Sequence, residues 1–384
     1  MADQIRIELV ADPDGAIRAI QKIKPVARGA AKPLTDGLDA AGKGANKLLG
    51  SMTQFAALAG AVAVSGGISK IITDFTRFES RIAEINTLLP KTNKVTKATE
   101  EAVRGLSAEF GKDAADLASA YYDVISAGST DATKSLELLA GATRASVVGV
   151  TDVKTATGAI LSVLNAYGEE NISATESSQK LFAIVQQGRT TFNELAANIG
   201  DIVPIAAQLG VPLEELGGLL AVSTRVSGNT AKSVTQLGAA FSNILKPSED
   251  SRRVVKLLNK ELGTNLEFSA TALKEKGFQR FFGEILKATS GFKNQQEILA
   301  KLFGSTRALR GVLSVTGENF TKVKEATDAV ANSSSVLDEG IKDINQTLGN
   351  KFDIATAKSS KFLTGFADVF SFVAKPALDL FIDN

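Results

Sequence analysis

The sequence predicts an all-α protein: an array of short antiparallel helices, flanked by longer apolar helices and preceded by one short strand. Three observations predict this class. Seven glycines recur at spacings of 17 to 22 residues in the middle of the chain, and residues that begin helices follow almost every one. A period-two pattern typical of a strand occurs early in the chain. Of 384 residues, 44% are hydrophobic, which is ample for a buried core.

Residues 1–50 form the first predicted region, an N-terminal strand plus a helix. From Ile5 to Leu9, aliphatic and charged side chains alternate, as they do in a half-buried strand. The turn-forming run at residues 12–15 separates this strand from a helix that ends at Pro25. One strand cannot form a sheet alone, so this strand must pair with another copy or another protein, or be poorly ordered.

Residues 51–90 form the second region, a helix rich in small residues. The 15 residues from Phe55 to Ser69 carry no charge, whereas a helix that crosses a bilayer needs about 20 apolar residues. Small residues share one face of this helix and favour close contact between helices, either in a bundle or in lipid. Contact between protein helices is the favoured interpretation, and membrane contact stays open. The candidate contact residues are Phe55, Ala56, Gly60, Ala63 and Gly67.

Residues 91–330 form the third region, the helix array. Glycine accepts the left-handed conformation that ends many helices, and Ser, Thr, Asp and Asn accept hydrogen bonds from the N–H groups that begin the next one. The predicted helices are therefore about 15 residues long and joined by short turns. Ser173 and Thr191 each precede a glutamate at the spacing of a capping box. The glycines are Gly111, Gly128, Gly149, Gly168, Gly188, Gly210 and Gly228.

Apolar stripes in the array predict helices that bury one face against their neighbours. One stripe comprises Val153, Ala156, Ile160, Val163 and Tyr167, and a second, with heptad-like spacing, comprises Leu195, Ile199, Ile202, Ala206 and Leu209. After Pro247 the pattern loosens into a phenylalanine-rich part that comprises Phe268, Phe278, Phe281, Phe282, Phe292 and Phe303. None of these helices is predicted to be stable alone.

Residues 331–384 form the fourth region, a C-terminal helix with an aromatic tail. The spacing from Ser335 to Asp338 predicts the start of a long helix. The tail repeats apolar residues at helical spacing, which predicts a helix that docks into a protein groove or lies in a membrane interface. We favour the protein groove. The candidate contact residues of the tail are Phe362, Phe366, Phe370 and Val373.

The composition excludes several kinds of chemistry. The chain contains no Cys, His or Trp, which excludes Cys/His zinc sites, redox dithiols and histidine-based triads. Its net charge of +1 does not favour a nucleic-acid surface. The run from Gly37 to Gly44 is close to a phosphate-binding loop, but Gly44 replaces the required hydroxyl residue. We therefore predict no catalytic residues, no cofactor and no metal.

The acidic pairs of the sequence also favour a structural role. They lie near predicted helix starts or turns, where negative charge complements the helix dipole. Cleavage of cell-wall glycans by carboxylates is a chemistry that the lack of histidine leaves open. However, the dipeptides Glu79-Ser80 and Glu176-Ser177 match such enzymes only at the level of chance. The acidic pairs are Glu100-Glu101, Glu169-Glu170, Glu214-Glu215 and Glu249-Asp250.

A series of short motifs runs in order from Phe78 to Ala329. They are Leu106–Gly111, Ala114–Gly128, Leu136–Thr143, Thr151–Thr157, Leu164–Gly168, Asn193–Gly200, Pro204–Gly210, Pro212–Leu216 and Leu299–Leu309. Their order and spacing, over about two thirds of the chain, resemble the core region of tail tape measure proteins of tailed bacteriophages and related injection machines.

This resemblance implies a structural protein rather than an enzyme. Tape measure proteins fill the lumen of the tail tube, set tail length during assembly and assist genome delivery through the host envelope. The implied partners are the tail tube protein, tail assembly chaperones and tail tip or baseplate proteins, with transient contact with the host membrane and no sequence-specific nucleic-acid binding. The protein is expected to be made in the host cytoplasm and to reside in the virion.

The predicted helices leave surfaces that need partners, and this predicts a homo-oligomer with the three- or six-fold symmetry of a tail tube. Two functions from other classes stay open. One is a membrane-active pore-forming effector, which spontaneous leakage of liposomes would indicate. The other is a carboxylate-dependent cell-wall glycosidase, which muralytic activity abolished by a single Glu substitution would indicate.

Overall fold

The structure, a computed structural model, describes residues 64–91, 94–129 and 131–361, with side chains from residue 73 onward. Within these residues every regular element is a helix, which confirms the all-α prediction. The predicted strand at residues 5–9 lies outside the described residues. The helices are α1 (Val64–Leu88), α2 (Lys97–Phe110), α3 (Ala114–Ser126), α4 (Ala132–Val148), α5 (Val153–Tyr167), α6 (Ala174–Gln187), α7 (Phe192–Ile199), α8 (Val203–Gln208), α9 (Leu213–Ser227), α10 (Thr230–Leu245), α11 (Glu249–Leu262), α12 (Ala270–Thr289), α13 (Gln295–Leu302), α14 (Thr306–Val315), α15 (Asn319–Ala331), α16 (Val336–Asn345) and α17 (348–361).

The chain divides into two units. Of the described residues, 64–80 and 356–361 belong to one unit, and those between 81 and 355 belong to the other. The second unit contains α2 to α16 and thus the predicted helix array. Its core is built on α9, which packs against α6, α10, α14 and α15.

Two adjacent glycines let α9 approach α15 closely. Ten of the fifteen residues of α9 are buried, which is unusual for a helix with a single apolar stripe. A Cβ atom added to Gly218 would lie 2.8 Å from the backbone nitrogen of Thr327 and 2.9 Å from the carbonyl oxygen of Val323. A Cβ atom on Gly217 would lie 2.8 Å from Cγ1 of Ile184 on α6. Glycine is therefore required here by close helix packing.

The predicted helix caps form at most of the expected residues. Side-chain oxygens of Asp113, Asp131, Asp152, Ser173 and Asn229 each accept a hydrogen bond from a backbone N–H group in the first turn of the following helix. Pro212 precedes α9 without a side-chain cap. Each of these caps begins a new helix within a few residues of the end of the previous one, so the array is divided into short segments.

The two predicted capping boxes differ in outcome. At Thr191 the box is complete: its hydroxyl accepts a hydrogen bond from the N–H group of Glu194 at 3.2 Å, and the Glu194 carboxylate accepts one from the Thr191 N–H group at 3.1 Å. At Ser173 the hydroxyl accepts from the N–H group of Glu176, but the Glu176 carboxylate pairs with Lys180 instead. Competition from a nearby cation thus replaces the second hydrogen bond of the box.

The seven punctuating glycines serve two different purposes. Five of them, Gly111, Gly128, Gly168, Gly210 and Gly228, have positive φ angles, as predicted. The prediction is wrong for Gly149 and Gly188, whose φ angles are −78° and −104°. A Cβ atom on Gly149 would lie 2.8 Å from Phe192, and one on Gly188 would lie 2.9 Å from Oγ1 of Thr224. These two glycines make room for a neighbouring helix.

The predicted apolar stripes are buried. On α5, Val153, Ala156, Ile160 and Val163 are all at most 3% exposed, and Tyr167 is half-buried. The stripe from Leu195 to Leu209 is also buried, but it lies on two helices, α7 and α8. The chain leaves the helical path at residues 200–202, so heptad-like spacing does not mark one continuous helix here.

The phenylalanine-rich part forms an aromatic cluster in the core. The rings of Phe282 and Phe303 stack with their centroids 5.7 Å apart, and those of Phe278 and Phe282 are 4.2 Å apart. Gly277, with φ 71° and ψ 164°, breaks α12 immediately before this cluster. Phe268 and Phe281 join the cluster, whereas Phe292 stays partly exposed.

The helix predicted to begin near Ser335 is short. α16 spans ten residues, and α17 follows after a two-residue interruption. The Ser335 hydroxyl makes no cap and donates instead to the Glu339 carboxylate at 2.8 Å. The prediction of one long helix at this point is therefore wrong.

Candidate functional site

The contact residues predicted from the sequence lie almost entirely in parts of the chain that the structure does not describe. Phe55, Ala56, Gly60, Ala63, Phe362, Phe366, Phe370 and Val373 all lie outside the described residues. Gly67 lies within α1. In the part of the chain that is described, none of the helices combines the length and the apolarity needed to cross a bilayer.

The predicted acidic pairs occupy helix starts and one turn. Glu100 is in the first turn of α2, Glu214 and Glu215 are in that of α9, and Glu249 with Asp250 is in that of α11. The pair at residues 169–170 lies in the turn between α5 and α6. Residues 94–129 and 131–361, together with α1, contain no cluster of three or more acidic side chains that could hold a metal ion. These positions fit the helix-dipole role.

A lysine between two glutamates connects α6 to α9. The ammonium group of Lys180 donates to the carboxylates of Glu176 and Glu214, each at 2.8 Å, and its side chain is only 12% exposed. Burial alone would lower the pKa of Lys180, but the two hydrogen bonds outweigh it and raise this pKa above its usual value. Burial would likewise raise the pKa of Glu214, but Lys180 holds it below its usual value. The two groups are therefore mutually stabilised in their charged forms.

The second carboxylate of the same pair has the opposite environment. Burial raises the pKa of Glu215, and the negative charge of Glu214 adds to that effect. Its Oε1 atom accepts a hydrogen bond at 3.1 Å from the N–H group of Phe278, the residue directly after the break at Gly277. Glu215 therefore joins α9 to the start of the aromatic cluster.

Tyr167 completes this polar network. Its hydroxyl donates to the carbonyl oxygen of Val211 at 2.9 Å. Burial, together with the negative charges of Glu214 and Glu215, raises the pKa of Tyr167. The hydrogen bonds join α6 to α9, α9 to α12, and α5 to the segment that precedes α9. This arrangement is consistent with the structural role predicted for this acidic pair.

A cationic groove lies between α10 and the start of α14, and it was not predicted from the sequence. Its volume is about 720 Å³. The two helices meet closely at Gly311, where an added Cβ atom would lie 2.6 Å from the carbonyl oxygen of Gln236. The cationic groove is lined by Ala231, Lys232, Thr235, Gln236, Ala239, Ser305, Thr306, Arg307 and Arg310. Because two segments about 70 residues apart in sequence form it, no local motif indicates it.

Two comparisons with known proteins give matches: a family model matches the middle of the chain, and a single relative matches most of its length. Residues 100–304, just over half of the chain, match the family described as phage-related minor tail protein. The chain is also 25% identical over 352 residues, 89% of its length, to a protein named "Probable tape measure protein" from Clostridium phage phiCD119. The match spans 36% of that relative. No solved structure gives a significant match.

Proposed function

Since the chain belongs to the phage-related minor tail protein family, we propose that it is a structural tape measure protein, which sets tail length during virion assembly. The observation that carries this proposal is the family match over residues 100–304, which falls within the compact helical unit of residues 81–355. The match to a relative named as a probable tape measure protein covers 89% of the chain at 25% identity, and it supports the assignment as a tape measure protein within this family.

We propose that the protein resides in the lumen of the tail tube and later assists genome delivery through the host envelope. Its partners would then be the tail tube protein, tail assembly chaperones and tail tip or baseplate proteins. We also propose a homo-oligomer of three- or six-fold symmetry. Gly60→Leu tests this assembly, because a bulky side chain blocks close helix contact. Weaker association in sedimentation velocity supports the proposal, and unchanged association contradicts it.

The compact array restricts how such a protein can measure length. A straight helix rises about 1.5 Å per residue, so a fully helical chain of 384 residues spans at most about 576 Å. The caps and close glycine contacts of α2 to α16 instead favour short helices that fold back on one another. A ruler of full helical length therefore requires the array to open inside the tube.

The proposed ruler can be tested by a deletion in the phage that encodes this chain. The deletion removes α4 and α5 with their connections, about 40 residues. A ruler that measures length as a stretched helix shortens the tail by about 60 Å, and we expect this result in negative-stain images. If the array stays compact, tail length is unchanged and tip assembly is disturbed. A deletion with normal tail length and normal tips contradicts both versions.

A control must separate residue count from loss of folding. Gly218→Ala disturbs the packing of α9 against α15 but removes no residue. A ruler that counts residues gives tails of normal length in this variant. Tails shortened by the substitution as much as by the deletion would show that the deletion acts by unfolding the array, which contradicts the ruler.

A further inference from the structure

We propose that the cationic groove between α10 and α14 is a docking site for a carboxylate-rich segment of another protein. This inference does not depend on the proposed ruler function, because it rests only on the charges and packing of the groove. It concerns one face of the compact unit of residues 81–355.

The three cations of the groove have no acidic partner. Lys232, Arg307 and Arg310 are exposed, and none of them forms an ion pair within the described part of the chain. Among the described residues, some exposed cations elsewhere on this unit, such as Arg252 and Lys301, pair with acids on their own helices, whereas others are unpaired; the groove differs because it brings three unpaired cations together. No acidic residue lines the groove. In a chain of net charge +1, this is a marked local excess of positive charge.

Two of these cations also lie at the unfavourable ends of their helices. Lys232 is the third residue of α10, and Arg307 is the second residue of α14. The positive end of a helix dipole disfavours a cation there. Neither first turn contains an acid that would offset this, which is also true of several other helices of the unit. A bound carboxylate would offset this unfavourable arrangement.

An unpartnered polar side chain faces the same groove. Gln236 is only 6% exposed, lines the groove and forms no side-chain hydrogen bond within the described residues. The amide atoms of Gln236 still reach the solvent in the groove, so they are free to bond a ligand there. The amide of Gln236 can donate to a carboxylate, and the hydroxyls of Thr235 and Thr306 add further donors.

The lining of the groove favours an acidic peptide over nucleic acid. No aromatic ring lines it, so nucleobases have no surface on which to stack. Its three cations are confined to one groove rather than arranged along a track that follows a phosphate backbone. The methyl groups of Ala231 and Ala239 also line the groove and suit the carbon chains of glutamate.

The test measures binding of a labelled glutamate-rich peptide to the full chain by fluorescence anisotropy, with a glutamine-rich peptide of equal length as its control. The glutamate peptide should bind, and more weakly as salt increases. The combined substitution Lys232→Gln, Arg307→Gln and Arg310→Gln should weaken binding about ten-fold or more. Gln236→Leu, which keeps all three charges, should weaken it by a smaller factor.

A matched variant removes the same amount of charge outside the groove. Arg252→Gln, Arg253→Gln and Lys301→Gln together neutralise three exposed cations that already have acidic partners. This variant should keep its affinity within about two-fold. Equal loss in both triple variants, absence of binding by the wild-type chain, or tighter binding of a DNA duplex that the groove variant abolishes would each overturn the proposal. Circular dichroism confirms that every variant folds.

Discussion

Replacement of Gly218 by alanine tests how closely α9 packs against α15. In an exposed helix, a change from glycine to alanine stabilises by up to about 1 kcal/mol, because alanine has the higher helix propensity. At Gly218 the new methyl group would lie 2.8 Å from the nitrogen of Thr327 and 2.9 Å from the oxygen of Val323. Both are backbone atoms, which cannot rotate away. The two helices must therefore separate.

The size of the effect follows from that separation. Ordinary contact begins at 3.4 Å, so α15 must move by about 0.6 Å (3.4 minus 2.8) along the contact. A gap of this size loses about a quarter to a half of the dispersion energy of the atoms that line it. Overpacking of this kind costs about 1–3 kcal/mol. After subtraction of the gain in helix propensity, the net loss is about 0–2 kcal/mol, and because two backbone atoms are approached at once we expect the upper half of that range, about 1–2 kcal/mol.

Urea denaturation followed by far-ultraviolet circular dichroism measures the difference. Gly158→Ala is the matched control, since Gly158 is exposed in the interior of α5 and an added Cβ atom there meets nothing within 4 Å. This control should be stabilised by about 0.5–1 kcal/mol. If Gly218→Ala is as stable as the wild-type chain, or if the free energy of unfolding changes in the same direction in both variants, α9 does not pack on α15 as closely as described.

Three further predictions use the same measurement. Thr191→Ala removes a complete capping box and should cost about 1 kcal/mol, whereas Ser335→Ala, which removes no cap, should change stability by less than about 0.5 kcal/mol. Phe282→Ala, in the centre of the aromatic cluster, should cost about 3–5 kcal/mol, while Phe352→Ala at a 61% exposed residue should be nearly neutral. Equal effects within either pair would contradict these assignments. Glu214→Gln should lower stability at neutral pH, because the pKa of Glu214 is depressed in the folded protein and its charge therefore stabilises the fold above its unfolded pKa. The difference from the wild-type chain should shrink as pH falls through the pKa of Glu214 in the folded protein, and a difference that is constant with pH refutes the linkage.

Local patterns in the sequence predicted the helices and their caps, because caps depend on residues only a few positions apart. Asp113, Asp152 and Thr191 cap helices where the sequence places them. The same local logic is wrong for Gly149 and Gly188, where a helix from elsewhere in the chain sets the requirement for glycine. A spacing pattern contains no information about which distant helix will approach.

The polar interior shows the same limit. Glu214 and Glu215 are adjacent in sequence, and both were predicted to complement a helix dipole. Only the fold brings Lys180 to one carboxylate and the N–H group of Phe278 to the other, and their pKa values shift in opposite directions as a result. The cationic groove could not be predicted for the same reason, since its two helices are distant in sequence.

Helices α14 and α15 come late in the sequence but pack on the central helix α9, and this determines how the array responds to a pulling force. α15 closes over α9, and the hydroxyl of Ser314 on α14 lies 3.0 Å from that of Ser223, 91 residues earlier. Such long-range contacts are slow to form but must break before the helices beneath them are released. Tension applied from the C-terminal side would therefore detach α16 from α4 and α6 first, then α15 and α14, and α9 could follow only afterwards. The array would behave as a mechanical latch that holds against small forces, extends abruptly above a threshold and re-forms slowly.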